Sequence, residues 1–433
     1  MTEDPRLFAN PLLEESDFDS DSGQPMVLCV VPSAKDPVRF ALPASYMDLV
    51  REFDGERSEE EAIDAFLERH PVGFEREWLR RLVRQSLLAK GILVHADQDP
   101  ACVAVSTQPK RAFLYLKLPV FPPSVVEPVA RSLSFMFRRP PLILGILLAI
   151  ASHVYVYGVL LHEQHVDFNR LDATSILLIL LLSTLATLCH EFGHASAAAH
   201  YGCRRMSIGW GLYIVYTVFW TNVSEAWKLP RRQRAMIDIG GVYFESIFML
   251  LMLALYLKTG NLVFLFAFVF MDLSLLTTLN PFLRMDGYWL FSDLFGIVNL
   301  RKQQTEWMGE VASKLFGGGA YVKRSSLSRR AKWALSLYSV AGVVFLIYLL
   351  TVILQFVVLN VAGQYPDLLR EFWSGARAGK PALELLGGFV EVLWRTLMLG
   401  GAAFMLVLLG TRAAGLVTRI GLFKKPAVQR SSV

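Results

Sequence analysis

The apolar positions of this chain fall into two regimes. From residue 139 to about 410 they form long runs broken by short polar stretches, and roughly 20 apolar residues suffice to span a bilayer core. About six transmembrane helices are expected, near 141–161, 173–198, 235–258, 261–280, 332–360 and 385–410. A shorter apolar stretch, 206–220, is rich in Gly, Tyr and Val. It suits a re-entrant hairpin buried against protein, since lipid would leave its backbone groups unsatisfied.

Before residue 135 the pattern shortens. Residues 27–31 and 38–42 suit strands, 45–53, 58–70 and 75–90 suit helices, and 92–94 suits a closing strand. Ser58 and Glu61 have capping-box spacing, and Gly91 fits a helix C-terminus. These elements make 27–95 a small α+β, winged-helix-like domain. Residues 1–26 read as a disordered tail, with Asp, Glu and Ser concentrated in 14–23. Residues 96–140, carrying Pro119, Pro122, Pro123 and Pro128, read as a linker. The expected fold is therefore a polytopic α-helical membrane protein with a re-entrant hairpin and a small soluble N-terminal domain.

Composition agrees with this division: 54% of residues are hydrophobic and 19% charged, against about a quarter charged in soluble domains. The net charge of +5 does not point to nucleic acid, because the basic residues flank apolar runs. They set orientation instead. Arg138 and Arg139 precede the first span. The loop 161–172 opposes Arg170 with Glu163, Asp167 and Asp172, as an external loop should. Arg204, Arg205, Lys228, Arg231, Arg232 and Arg234 follow the second span; the 301–331 loop and the 411–433 tail are basic as well. Both termini are thereby expected on the cytoplasmic side, although loop 361–384 is mixed in charge. Residues 1–25 lack the basic start and apolar centre of a signal peptide. Cys29, Cys102, Cys189 and Cys203 show neither disulfide nor CxxC spacing.

The chemistry centres on His190-Glu191-Phe192-Gly193-His194, an HExxH. Residues four apart share a helix face, so both imidazoles can reach one Zn2+, with Glu191 beside them as general base. Two histidines and a glutamate in a lipid-embedded helix are costly unless paired or metal-bound. A third ligand is required, and Asp238, Glu245, Asp272 and Asp286 compete. Depth favours Asp286, which lies on the same side as the histidines, while Asp238 and Glu245 remain open. Glu245, Asp272 and Arg395 are buried charges by position, equally suited to structural pairing or a substrate path. His162 and His165 lie in the external loop and His200 off the ligand face, so none is assigned to the metal.

These motifs resemble the site-2 proteases, a family of intramembrane zinc metalloproteases. The matching segments are the HExxH and Leu279-Asn280-Pro281-Phe282-Leu283-Arg284-Met285-Asp286-Gly287-Tyr288-Trp289, within roughly 170–300 of the chain. Gly240-Gly241 fits the small-residue segment found between them in that family. The resemblance implies Asp286 as third zinc ligand and Asn280 as a substrate-binding residue. The direct Asn280-Pro281 step and Met285 depart from the better-known members. They are closer to a branch of peptide zinc metalloproteases with an Asp-Gly-Tyr-Trp ending. The 27–95 domain is similar to PqqD-like peptide carriers, which hold a peptide along a strand edge.

By this resemblance, residues 141–300 form a metalloprotease core. It would hydrolyse peptide bonds of a membrane-associated protein or small ribosomal peptide through a zinc-activated water. The 301–331 loop and two further helices over 332–410 follow it. The lipid bilayer and a peptide or membrane-protein substrate are its expected partners, with an export or adaptor protein by analogy and no nucleic acid. A prokaryotic inner membrane is the expected location. The alternative is a non-proteolytic zinc-binding component of a peptide-export or maturation assembly. Glu191 argues against that alternative, because a structural site requires no general base.

Overall fold

The computed structural model describes residues 6–32, 37–71, 73–100, 114–163, 171–213, 216–316 and 327–420. They form two compact units. The first comprises residues up to 211, 218–298 and 326–328; the second holds 212–217, 299–325 and 329–433.

The first unit begins with β1 (Leu7–Ala9), β2 (Glu14–Asp17), β3 (Met26–Val31) and β4 (Val38–Pro43). Helices α1 (Ala44–Arg51), α2 (Glu59–Arg69) and α3 (Arg76–Leu82) follow, α3 running on as a π-helical turn to Leu88 before β5 (Leu93–His95). Strands β2, β3 and β4 form one antiparallel sheet and β1 pairs with β5. The three helices turn Leu49, Ile63, Phe66, Leu79 and Leu87 inward against Leu7 and Phe53. Ser58 and Glu61 complete both halves of the capping box that starts α2.

Two segments differ from expectation. The tail read as disordered carries β1 and β2. Glu14-Glu15-Ser16-Asp17 has no apolar face, so its strand shows no hydrophobic signature. It is held instead by the ladder to β3, and Lys228 and Arg51 neutralise Glu14 and Glu15. The stretch read as a linker contains β6 (Leu114–Phe121) and α4 (Pro123–Leu133), whose prolines start the helix.

The apolar part of this unit opens with α5 (Arg139–Tyr155), continued by a π-helical stretch into the single turn α6 (Leu161–Glu163). Next come α7 (Ala173–His200), the strands β7 (Ile208–Tyr213) and β8 (Tyr216–Thr221), of which 212–217 are assigned to the second unit, then α8 (Arg231–Thr259), α9 (Leu262–Thr278) and α10 (Asp286–Phe295). Strand β7 lies between β6 and β8. Helices α7 and α8 pack closely because their contact is built of small residues: a Cβ on Gly193 would strike the Gly240 carbonyl. Phe137 stacks on Phe244 of α8 at 5.7 Å.

The second unit contains α11 (Leu300–Phe316), α12 (Arg329–Val352), α13 (Ala362–Arg377) and α14 (Ala382–Ile420), with a π-helical segment Ile353–Val361 leading into α13. Helix α11 occupies part of the stretch expected as a basic loop, and α13 part of the 361–384 loop. Arg395 of α14 is paired with Glu391 and Gln364, so this apolar helix carries no isolated charge there.

Among the described residues, five helices are long and apolar enough to cross a membrane: Arg139–Glu163, Thr174–His200, Arg231–Thr259, Arg329–Arg377 and Glu384–Phe404. The expected sixth, over 261–280, corresponds to α9, a shorter apolar helix of 17 residues.

Candidate metal centre

Helix α7 places His190 and His194 one turn apart on the face that meets α8. The first turn of α10 brings Asp286 to them. His190 Nε2 lies 2.7 Å from Asp286 Oδ2, His194 Nε2 lies 3.1 Å from the same oxygen, and the two Nε2 atoms are 3.1 Å apart. One donor atom from each residue falls within 4.8 Å of the others, a group able to hold a metal ion.

The opposite ring nitrogens fix the tautomers. His194 Nδ1 faces the Ile237 carbonyl at 2.8 Å, an acceptor, so Nδ1 carries the proton and Nε2 presents its lone pair. His190 Nδ1 faces Glu245 Oε2 at 2.8 Å in the same sense. In the neutral form of these rings, both Nε2 lone pairs and the Asp286 oxygen face one focus, where a cation would be held by all three. The N2O donor set fits zinc, for which tetrahedral coordination with bonds near 2.0–2.1 Å sets ligand atoms about 3.3 Å apart. Outer acceptors on each ring are the usual companions of such ligands.

The backbone accommodates this geometry through glycine. A Cβ on Gly241 would come within 2.6 Å of both Nε2 atoms, so α8 can lie this close to the imidazoles only with glycine there. Gly287 has a parallel role on α10, where a Cβ would meet the Leu279 carbonyl. Asn280 Oδ1 accepts the Phe282 N–H at 2.9 Å and thereby shapes the turn that delivers Asp286.

Glu191 points to the sheet side. Thr221, at the end of β8, donates to Glu191 Oε2 at 2.6 Å and sits 3.1 Å from its backbone carbonyl. One carboxylate oxygen is thereby held, leaving Oε1 as the acceptor for a further proton. On β7, Gly209 makes room for the Trp220 ring, which a Cβ there would strike.

The four carboxylates that competed as third ligand have separate positions. Asp286 joins the histidines, and Glu245 takes the outer nitrogen of His190. Asp272 pairs with His153 of α5 at 3.0 Å. Asp238 is not in the donor group, and its Oδ2 has no hydrogen-bond partner among the described residues. His162 lies in α6, whereas His165 falls outside the described residues. Of the thiols, burial pushes Cys29 up to about 12 and Cys203 to about 11, which leaves both protonated near neutral pH.

Sequence reasoning missed Thr221, the Ile237 carbonyl and the His153–Asp272 pair. Thr221 and Ile237 are ordinary residues in apolar context, and the partners they meet lie 30 and 43 positions away. His153 did carry a signal, as a histidine inside a predicted span.

Fold and site together define a largely helical chain, with five helices among its described residues apolar enough to cross a membrane, that brings two histidines and an aspartate to one buried point. No known family profile, curated protein or solved structure matches it. The motif resemblance therefore stands on residues 190–194 and 279–289, with Gly240-Gly241 between them.

Proposed function

We propose that this protein is a membrane-embedded zinc metallopeptidase of the site-2 protease type. The observation that carries the reading is the convergence of three potential ligand atoms beside a carboxylate that a hydroxyl holds by one oxygen only. A purely structural site would gain nothing from Glu191, whose side chain is not among the donors.

His190, His194 and Asp286 would hold the ion. When bound, zinc supplies Lewis acidity toward water and the scissile carbonyl. Glu245 and the Ile237 carbonyl keep both imidazoles turned so that Nε2 faces inward. Glu191 Oε1 takes a proton from the attacking water as its oxygen bonds to the carbonyl carbon. The same carboxyl returns that proton to the departing nitrogen as the C–N bond breaks, which balances the hydrolysis. Thr221 keeps Glu191 oriented between these two transfers. The β6–β8 sheet beside Glu191 is suited to present an extended substrate segment. On this reading the substrates are peptides or membrane proteins; the motif resemblance supports a prokaryotic inner membrane, and flanking charge supports cytoplasmic termini.

The test compares peptides and membrane-protein fragments from cells carrying the intact protein or Glu191→Gln. Fragments present only with the intact protein are expected. Identical profiles, with zinc content unchanged in the variant, would overturn the proteolytic reading in favour of a zinc-binding assembly component.

A further inference from the structure

Arg234 is 5% exposed, near the start of α8, and its guanidinium ties three parts of the first unit together. Nε donates to Asp293 Oδ1 at 2.8 Å, Nη1 to the Leu229 carbonyl at 2.8 Å and Nη2 to the Asp19 carbonyl at 3.0 Å. The Phe18 ring lies 4.6 Å from the guanidinium carbon. Asp293 is on α10, two turns beyond Asp286, so Arg234 pins the helix that supplies the third ligand to the helix that seats both imidazoles. Removing one partner from such a buried ion pair is far more disruptive than losing a surface one.

The segment Phe18–Asp21 closes this arrangement from outside. Proline at 230 leaves α8 without a side-chain cap, and Asp19 Oδ2 accepts the Arg231 N–H at 3.0 Å in its place. The Asp21 N–H donates to the Gly296 carbonyl at 2.9 Å, at the end of α10. Phe18 itself is buried against Leu28, Val30, Trp227 and Val298. It follows β2 directly, and its N–H continues the ladder to Met26. The soluble domain is therefore connected to α10 by residues in fixed contact.

We infer that Arg234 is a positioning residue for Asp286, and that Phe18–Asp21 is a strap that holds Arg234 in place, so that the N-terminal segment sets the strength of the metal centre. This rests on the metal-binding part of the proposed function and is independent of proteolysis. Displacing β2 or the strap would loosen α10 and weaken the centre without touching a ligand.

The test uses the full-length protein in detergent micelles, stripped of metal and titrated with Co2+ against a chromogenic chelator. The cobalt d–d absorption reports the ligand set. Arg234→Gln and Phe18→Ala are each expected to weaken Co2+ binding at least about tenfold, in the range seen for residues behind metal ligands, and to shift the visible bands. Arg234→Lys should recover part of the affinity, since it keeps the charge but not the three-way fork. Arg57→Gln, which breaks an ion pair to Glu52 within the soluble domain, should leave binding unchanged. If Arg234→Gln does not fold, Phe18→Ala decides. Wild-type affinity and spectrum in the folded variants would overturn the strap alone. A wild type that binds no Co2+ would overturn both the strap and the proposed function.

Discussion

At the scale of single residues, the centre depends on one absent methyl as much as on its ligands. Gly241→Ala would favour α8 locally, since alanine is better than glycine inside a helix by about 1 kcal/mol. The added Cβ, however, would clash with the Nε2 atoms of His190 and His194. The variant is expected to keep its helix content by circular dichroism and to lose at least about tenfold in zinc affinity. Retained affinity would mean that the imidazoles have room to move. Glu245→Ala acts from the other side, leaving the His190 Nδ1 proton without its carboxylate. Metal affinity is expected to fall by about 10–100-fold, measured by competition with a chelator. Thr221→Val should leave metal affinity intact and slow turnover, because Thr221 touches only Glu191 at this site. Much of this was legible in the sequence. Spacing alone placed His190, Glu191 and His194 on one helix, and depth favoured Asp286. Gly241 was noted only as a small residue of the matching segment. Glu245 could not be distinguished from a third ligand, because spacing says nothing of which imidazole nitrogen a carboxylate will face.

At the scale of elements, legibility followed amphipathicity. Helix α2 announced itself through Ala62, Ile63 and Phe66 on one face and a capping box at its start. Strand β2 did not, because four polar residues give no period and its stability comes from pairing with β3. The capping box also carries a pH dependence. The Ser58 N–H and hydroxyl hold the Glu61 carboxyl below the usual glutamate range. A carboxyl depressed in the folded state adds stability above its unfolded pKa and loses that contribution as pH falls through the folded value. Hydrogen exchange of the 58–66 segment should therefore be faster in Glu61→Ala than in the intact protein near neutral pH. The difference should shrink steadily in acid below the ordinary glutamate range. A difference that does not change with pH would assign the effect to helix propensity rather than to the charged cap.

At the scale of the whole chain, the long apolar runs are the plainest signal, and one of the six expected spans corresponds to a shorter helix. A run of apolar residues marks burial in lipid, yet length decides whether it crosses. Helix α9 has 17 residues, near 26 Å at 1.5 Å per residue, a little short of a bilayer core of about 30 Å. Within the first unit, α8 ends at Gly260 in a left-handed turn and Asn261 starts α9 immediately. Two helices joined so tightly run antiparallel, so both ends of this turn lie on one side. The other ends carry Arg231 and Arg232 at the start of α8 and Asp286 just beyond α9. The strap contacts to Arg231 and Arg234 require the soluble domain to share that second side. A crossing α8 thus places Gly260 opposite both the soluble domain and the donor group. The flanking positive charge leads us to propose that this second side faces the cytoplasm. In intact cells, a membrane-impermeant maleimide should label Gly260→Cys and spare Arg232→Cys, which should react only after permeabilisation. Both positions reacting alike from outside would mean that α8 does not cross. The reverse pattern would keep the crossing and invert the orientation, putting the metal centre near the outer face and changing which substrates can reach it.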